Sequence, residues 1–374
     1  MAVLVGAIAA GMLLMSTGTS HNDVTTSATT APLASASSPA AAPEQTTSPA
    51  TGPARDPTLG SGRPVTFAFA GDTNFSTEGR MAARLRGDPA SAIGPFSDIL
   101  SAADVAVGNL ETAVGTHGSP EAKQFTYQAP PTAIDAMRAA GFDAVSMANN
   151  HGRDYGPDGL ADSLAARAAQ PDGLLIGIGE DDADALRPFR TTINGQRIAV
   201  IAATQVLDAE LASSWTAAPG HAGLASAKKV DDLVAAVRAA RIDSDTVVVF
   251  LHWGVERETC PSGDQQALAA MLAEAGADIV IGGHSHRLQG AGFLGHAFVG
   301  YGLGNFDFFA SGGEAASTGV VQVSITGRRV DAYDFVPGHV ESAVATPLAG
   351  AAAQAAKADW DALRPCTGLT STAG

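Results

Sequence analysis

The sequence predicts an α/β fold in which two facing mixed sheets are flanked by helices. Three observations carry this. Apolar runs of strand length alternate with helical spacing from Val65 to Leu363, an Asn194-Gly195 turn sets an antiparallel hairpin into that alternation, and six strand-like runs stop at residues that bind metals. The six endings are Gly71-Asp72, Asn109-Leu110-Glu111, Asn149-Asn150-His151, His252-Trp253-Gly254-Val255-Glu256, Gly283-His284-Ser285-His286 and Gly304-Asn305-Phe306. Side chains that share a metal must be held rigidly, and strand ends converging on one rim hold them so. The pattern points to a metal-centred hydrolytic site.

Met1 to Met15 is apolar and uncharged and is followed by small residues to Ser20. A bilayer span needs about 20 apolar residues, so this run matches the apolar region of a secretory signal better than a transmembrane helix. Residues 1–20 are read as a signal or apolar export segment, which places the protein outside the cell or at its surface, membrane-tethered if the segment stays uncleaved. Residues 21–62 are dominated by Ser, Thr, Ala and Pro and read as a disordered linker. Residues 63–374 form one catalytic domain.

Within it, Val65 to Ala70 reads as a buried strand, Ile93 to Ala102 as a helix and Asp104 to Val107 as a second strand. Pro131 to Ala140 is a helix with Pro in its first turn and Gly141 closing it, and Phe142 to Met147 is a strand. A helix from Gly156 to Ala169 and a short strand from Leu174 to Ile178 precede the hairpin of Phe189–Ile193 and Arg197–Ala203. Helices over Ala227–Ala240 and Gln265–Ala275 then alternate with strands over Thr246–Leu251 and Asp278–Ile281. Strands follow at His296–Tyr301, Gly319–Ile325 and Val330–Phe335, and an Ala-rich helix at Ala349–Leu363.

A net charge of −16 and no Lys/Arg cluster argue against nucleic acid as a partner. On so acidic a chain, a metal cluster is the natural place for an anionic substrate to bind. Cys260 and Cys366 are the two cysteines, and in an exported protein they most simply form one disulfide, two free thiols being the alternative. Ser226-Ala227-Lys228-Lys229 has Ser-x-x-Lys spacing, but it precedes a helix, where Ser226 serves as an N-cap. The chain has no Gly-x-Ser-x-Gly elbow and no P-loop.

Asp72 and Glu111 supply carboxylates suited to divalent ions, and His252, His284 and His286 supply imidazoles. Asn109 and Glu111 alternate onto one face of an extended chain, as do His284 and His286. Asn150 offers an amide oxygen to a metal, while His151 beside it is placed to give a proton to a leaving group. Asn74, Asn109, Asn149, Glu256, Arg287 and Asn305 are candidates for substrate or supporting contacts.

Taken in order, Gly-Asp, Asn-Leu-Glu-Thr, Phe-Asp-Ala-Val-Ser-Met-Ala-Asn-Asn-His, His-Trp-Gly-Val-Glu, Gly-x-His-x-His-x-Leu-Gln and Tyr-Gly-Leu-Gly-Asn-Phe resemble the bacterial CapA family of capsule and poly-γ-glutamate synthesis. That family looks like a branch of the calcineurin-like metallophosphoesterases. The resemblance implies a four-layer αββα sandwich with two divalent ions, manganese, zinc or iron. It implies Asp72, Glu111, Asn150, His252, His284 and His286 as ligands and His151 as the proton donor. The common phosphoesterase pattern has Asp-x-His where this chain has Asp72-Thr73-Asn74, and Gly-Asp where it has Gly108-Asn109 with Glu111 two residues on. Three functions stay open: a two-metal hydrolase of a phosphoester or related bond, a metal-dependent amide hydrolase or transferase on poly-γ-glutamate, and a non-catalytic factor that binds polymer within a cell-surface synthesis complex.

Overall fold

The computed structural model describes residues 57–76, 78–170, 172–309 and 312–374. The export segment and the linker as far as residue 56 lie outside the described residues. Residues 57–62, assigned to the linker on composition, are instead fastened to the domain. A 3-10 turn spans Pro57–Leu59, Gln196 donates to the carbonyls of Leu59 and Arg63 at 3.1 and 2.8 Å, and it accepts from the Ser61 amide at 3.2 Å. Composition hides this anchor because backbone groups make it.

Two large sheets are built from β1 Val65–Thr73, β2 Val105–Leu110, β3 Ala144–Ser146, β4 Leu175–Ile176, β5 Phe189–Ile193, β6 Gln196–Thr204, β7 Thr246–Trp253, β8 Ile279–His284, β9 Ala291–Leu294, β10 Ala297–Gly300, β11 Ser317–Thr326, β12 Arg329–Glu341 and β13 Val344–Pro347. One has seven strands in the order β13-β12-β11-β1-β2-β3-β4, the other six in the order β9-β10-β8-β7-β6-β5. Strands β1 to β4 run parallel, as do β6, β7, β8 and β10, while the outer strands β11 to β13, β9 and β5 pair antiparallel. The β5–β6 hairpin turns at Asn194 and Gly195 with φ of 54° and 77°, the left-handed pair that an Asn-Gly turn supplies.

The period of two along the strands sorts the core into layers. Phe67 and Phe69 of β1, Val200 of β6, Phe250 of β7 and Ile281 of β8 meet in one cluster between the sheets. Their neighbours point the other way. Ala68 and Ala70 pack outward with Met81, Leu85, Ile134 and Leu160 from helices, whereas Val249 and Val280 pack outward with Leu233, Val237, Leu268 and Leu272 from the helices Val230–Asp243 and Gly263–Ala275. Each phenylalanine buried between the sheets contributes on the order of 1.5–3 kcal/mol. The architecture is the four-layer αββα sandwich of two facing mixed sheets expected above.

Several expected elements shift. The helix read over Ile93–Ala102 is confined to Ser97–Ala102, and a helix at Gly79–Gly87 was not anticipated, because its arginines mask a stripe of Met81, Ala82 and Leu85. Ser226 is not a helix cap: the helix starts at Val230 after Lys229, and no side chain caps it. Cys260 and Cys366 form the expected disulfide, with Cα atoms 5.7 Å apart. Among the described residues, no helix is long and apolar enough to cross a membrane.

Candidate metal centre

The parallel strands of both sheets end on one rim, and the anticipated ligands meet there. Asp72 lies near the end of β1, where the register against β2 shifts after Phe69 and brings Asp72 opposite Asn109. Its carboxylate accepts from Asn109 Nδ2 at 2.8 Å and from the His284 amide at 3.0 Å. Gly283 makes the second contact possible, since a Cβ there would lie 2.3 Å from Asp72 Oδ1. His252 is the last residue but one of β7 and stands opposite Gly283, its Nε2 2.8 Å from Asn150 Oδ1 and 3.1 Å from His284 Nδ1.

Glu111 is the common member. Its Oε1 lies 3.6 Å from His252 Nε2, 3.8 Å from His286 Nε2 and 4.0 Å from His151 Nε2. Two groups of ligand atoms, each mutually within 4.8 Å, share this residue: Asp72, Glu111 and His252, and Glu111, His284 and His286. Both Glu111 carboxylate oxygens are buried without a hydrogen-bond partner among the described residues. A buried carboxylate left unpaired is strongly unfavourable, so an orphan ringed by imidazoles fits a divalent cation.

Electrostatics agree. Burial, reinforced by repulsion from Asp72, Glu256 and Asp154, holds Glu111 well above the usual carboxylate range. Burial raises Asp72 as well, against the attraction of His286. Burial and the neighbouring His286 push His284 down to about 3, and burial with His284 and His286 drives His252 well below its ordinary value. His252 and His284 are thus favoured in the neutral form, which binds metal, and a cation would draw the carboxylates back to their charged form.

Asparagines set the geometry. Asn149 donates to Asn109 Oδ1 at 3.0 Å and to the Leu110 carbonyl at 2.9 Å, and accepts from the His151 amide at 3.0 Å. Asn305 donates to the Ala315 carbonyl at 2.9 Å, so its Oδ1 is left to accept from His286 Nδ1 at 2.8 Å, and His286 Nε2 is free to face Glu111. His284 and His286 do not lie on one face of an extended segment as anticipated. Their φ angles are 95° and 51°, and this rare backbone, not strand alternation, brings their rings to 6.0 Å.

Three of the candidates for substrate or supporting contacts make no side-chain contact with the candidate ligand atoms among the described residues. Asn74 spends its side chain on the Glu111 carbonyl at 2.9 Å and the Ser76 amide at 2.7 Å, holding two ligand loops together. Arg287 turns to Glu314 at 3.3 Å and to the His286 carbonyl at 2.9 Å. Glu256 makes no hydrogen bond to His252; it is exposed on the wall of a cleft of about 530 Å³ that also exposes Asn150 and His151.

Residues absent from the sequence reading complete the site. Asp154 accepts from His151 Nδ1 at 2.5 Å, from Lys123 Nζ at 2.6 Å and from the Tyr127 amide at 2.7 Å. Lys123 also donates to the Asn150 carbonyl. The Tyr127 ring lies 4.3 Å from the His151 ring, and Phe308 lies 4.9 Å from His286. The three-residue step from His151 to Asp154 was a readable signal, but Lys123 and Tyr127 stand in a loop without periodicity.

The buried Asp307, beside Asn305, gives one Oδ to the Ala345 amide at 2.6 Å and leaves the other unpartnered among the described residues. Burial holds its carboxyl well above 3.8, so the folded chain keeps a proton that the unfolded chain has lost, and stability falls as pH rises from there. Asp307→Asn is expected to raise stability by about 1–3 kcal/mol near neutral pH. Denaturation at low and neutral pH checks this: the gain should vanish near the ordinary carboxylate pKa.

A family model described as bacterial capsule synthesis protein PGA_cap matches residues 66–309, which include every proposed ligand. This chain belongs to that family. It is 30% identical over 229 residues to "Capsule biosynthesis protein CapA" of Bacillus anthracis, covering 61% of this chain and 55% of that one. It is 27% identical over 253 residues to "PGA biosynthesis protein CapA" of Bacillus subtilis, covering 67% and 65%. The PGA_cap chain described here therefore spans less than two thirds of each of these relatives. Among solved structures, a hypothetical protein from Thermus thermophilus aligns with 14% identity and a TM-score of 0.46, over 73% of this chain and 99% of that one.

Proposed function

We propose that this PGA_cap protein is an exported, metal-dependent hydrolase that acts on a phosphoester or related bond during synthesis or export of a capsule or poly-γ-glutamate type polymer. The observation that carries the reading is Glu111, a buried carboxylate with no hydrogen-bond partner among the described residues and three imidazoles within 4.0 Å. The names of the relatives support the polymer setting, and the Cys260–Cys366 disulfide supports an oxidising compartment.

Asp72, Glu111, Asn150, His252, His284 and His286 would hold up to two divalent ions, which would activate water and neutralise charge on the reacting oxygens. The chain's own residues arrange the rest. Asp154 fixes the proton of His151 on Nδ1, so Nε2 faces Glu111 and, once protonated, gives its proton to the departing oxygen. Lys123 neutralises Asp154 and holds the Asn150 backbone, while the Tyr127 ring shields His151 from bulk water.

Elemental analysis of the purified full chain, paired with a screen that begins with phosphodiesters, tests the proposal. Bound divalent metal and turnover that a chelator abolishes are expected. A chain that takes up no manganese, zinc or iron would overturn it, and loaded metal with release of glutamate oligomers but no phosphodiester cleavage would shift the bond to an amide.

A further inference from the structure

The cleft beside the metal centre is acidic along its wall. Asp208, Glu210 and Glu256 line it, all three exposed, and Lys123 is the one lysine or arginine of the lining; Arg257, next to Glu256 in sequence, is outside it. The Lys123 ammonium is already committed. Its side chain is only 8% exposed, and Nζ lies 2.6 Å from Asp154 and 3.8 Å from Asp208, donates to the Asn150 carbonyl and sits 4.8 Å above the Trp215 ring. Carboxylates gathered on a concave wall, with no cation left to balance them, attract positive charge and repel negative. A chain of glutamates would meet its own kind there.

Phe125 stands in the same lining with 57% of its surface exposed. An open aromatic face among carboxylates suits an ammonium group, which the ring attracts through its quadrupole and the carboxylates through their charge. An uncharged group would gain from the ring alone. The cleft is a site on independent grounds, since it exposes Asn150 and His151, and the buried, unpartnered Glu111 lies 4.0 Å from His151 Nε2. A metal centre that is positive when loaded, next to an acidic wall, matches a molecule with a phosphate at one end and an ammonium at the other.

We propose that this cleft binds a substituted ammonium group. Resting on the hydrolase reading, the substrate is then a phosphodiester that carries such a group, of the phosphocholine or phosphoethanolamine kind, which water cuts to a phosphomonoester and an alcohol.

Binding to the full chain in chelator tests the cleft without any catalysis. Choline, followed by the broadening of its methyl resonance, should bind about tenfold more tightly than 3,3-dimethylbutanol, its uncharged isostere. That preference should shrink as salt rises and disappear when Asp208→Asn is combined with Glu256→Gln, and Phe125→Ala should weaken choline binding by about threefold. These side chains are exposed, so the variants are expected to fold. In the metal-loaded chain, kcat/KM for glycerophosphocholine should exceed that for the same diester of 3,3-dimethylbutanol by about tenfold. Cleavage of phosphatidylcholine in vesicles as well would assign the group to a lipid, and cleavage of the soluble diester alone to a free molecule; either supports the proposal. Choline and its isostere binding alike, or choline binding unchanged in the double variant, would overturn it. Choline held as expected with no phosphodiester cleaved would uphold the ammonium site and count against the hydrolase reading instead.

Discussion

Glu111→Gln is expected to leave the protein nearly free of metal while making the metal-free fold more stable. The two effects share one cause. Glu111 belongs to both groups of ligand atoms, so no other single change reaches both, and the neutral amide is a much poorer ligand than a carboxylate. Without metal, however, the wild-type carboxylate is buried with neither oxygen partnered among the described residues, and replacing it removes that penalty, worth about 1–3 kcal/mol. Elemental analysis should show metal falling toward background, and turnover should fall with it, by roughly 100-fold or more. Thermal denaturation in chelator should give a higher midpoint for the variant than for wild type, and in excess metal the order should reverse. A Glu111→Gln protein that retains full metal and the wild-type midpoint would show that the carboxylate is not at a metal centre.

His151→Ala should separate chemistry from binding. His151 touches the ligand set only at its edge, 4.0 Å from Glu111, and its Nδ1 is committed to Asp154. Removing it takes away a proton donor, which lowers turnover by about 10²–10⁴-fold, and leaves the six ligand residues in place. His284→Ala should lower metal content and turnover together. Burial pulls the His151 pKa below its ordinary value while Asp154 pushes it up, so Asp154→Asn should lower it further and move the alkaline limb of the rate profile to lower pH. Equal metal loss in His151→Ala and His284→Ala would remove the proposed division of roles.

The sandwich was readable because β1, β6, β7 and β8 alternate strictly between two apolar layers, and because Asn194-Gly195 announces its hairpin. The convergence of the candidate ligands was readable because each stands where an apolar run stops. What escaped reading depends on contacts far apart in sequence. Lys123 reaches Asp154 only because the loop that carries it folds over the Asn149-Asn150-His151 turn. Arg287 stands next to the candidate ligand His286 in sequence, yet Glu314, from a distant turn, draws it aside. The left-handed backbone at His284 and His286 follows from the Asp72 carboxylate and Asn305 amide that receive them, and neither belongs to their own segment.

The central place of β1 also sets a schedule for the molecule. β1 is the first strand among the described residues, but it lies between β2 and the much later β11, and the Asp72 carboxylate accepts the amide of a residue 212 positions downstream. A ribosome or export channel releasing this chain from its N-terminus delivers Asp72, Glu111 and Asn150 well before the histidines that would share a cation with them. Such a half-made chain lacks His252, His284 and His286, so it could not capture a transition metal in the proposed way. On the proposed function the ion would then be chosen where synthesis or translocation finishes, and the metal supply of that compartment, more than the preference of any one side chain, would decide which ion the protein carries.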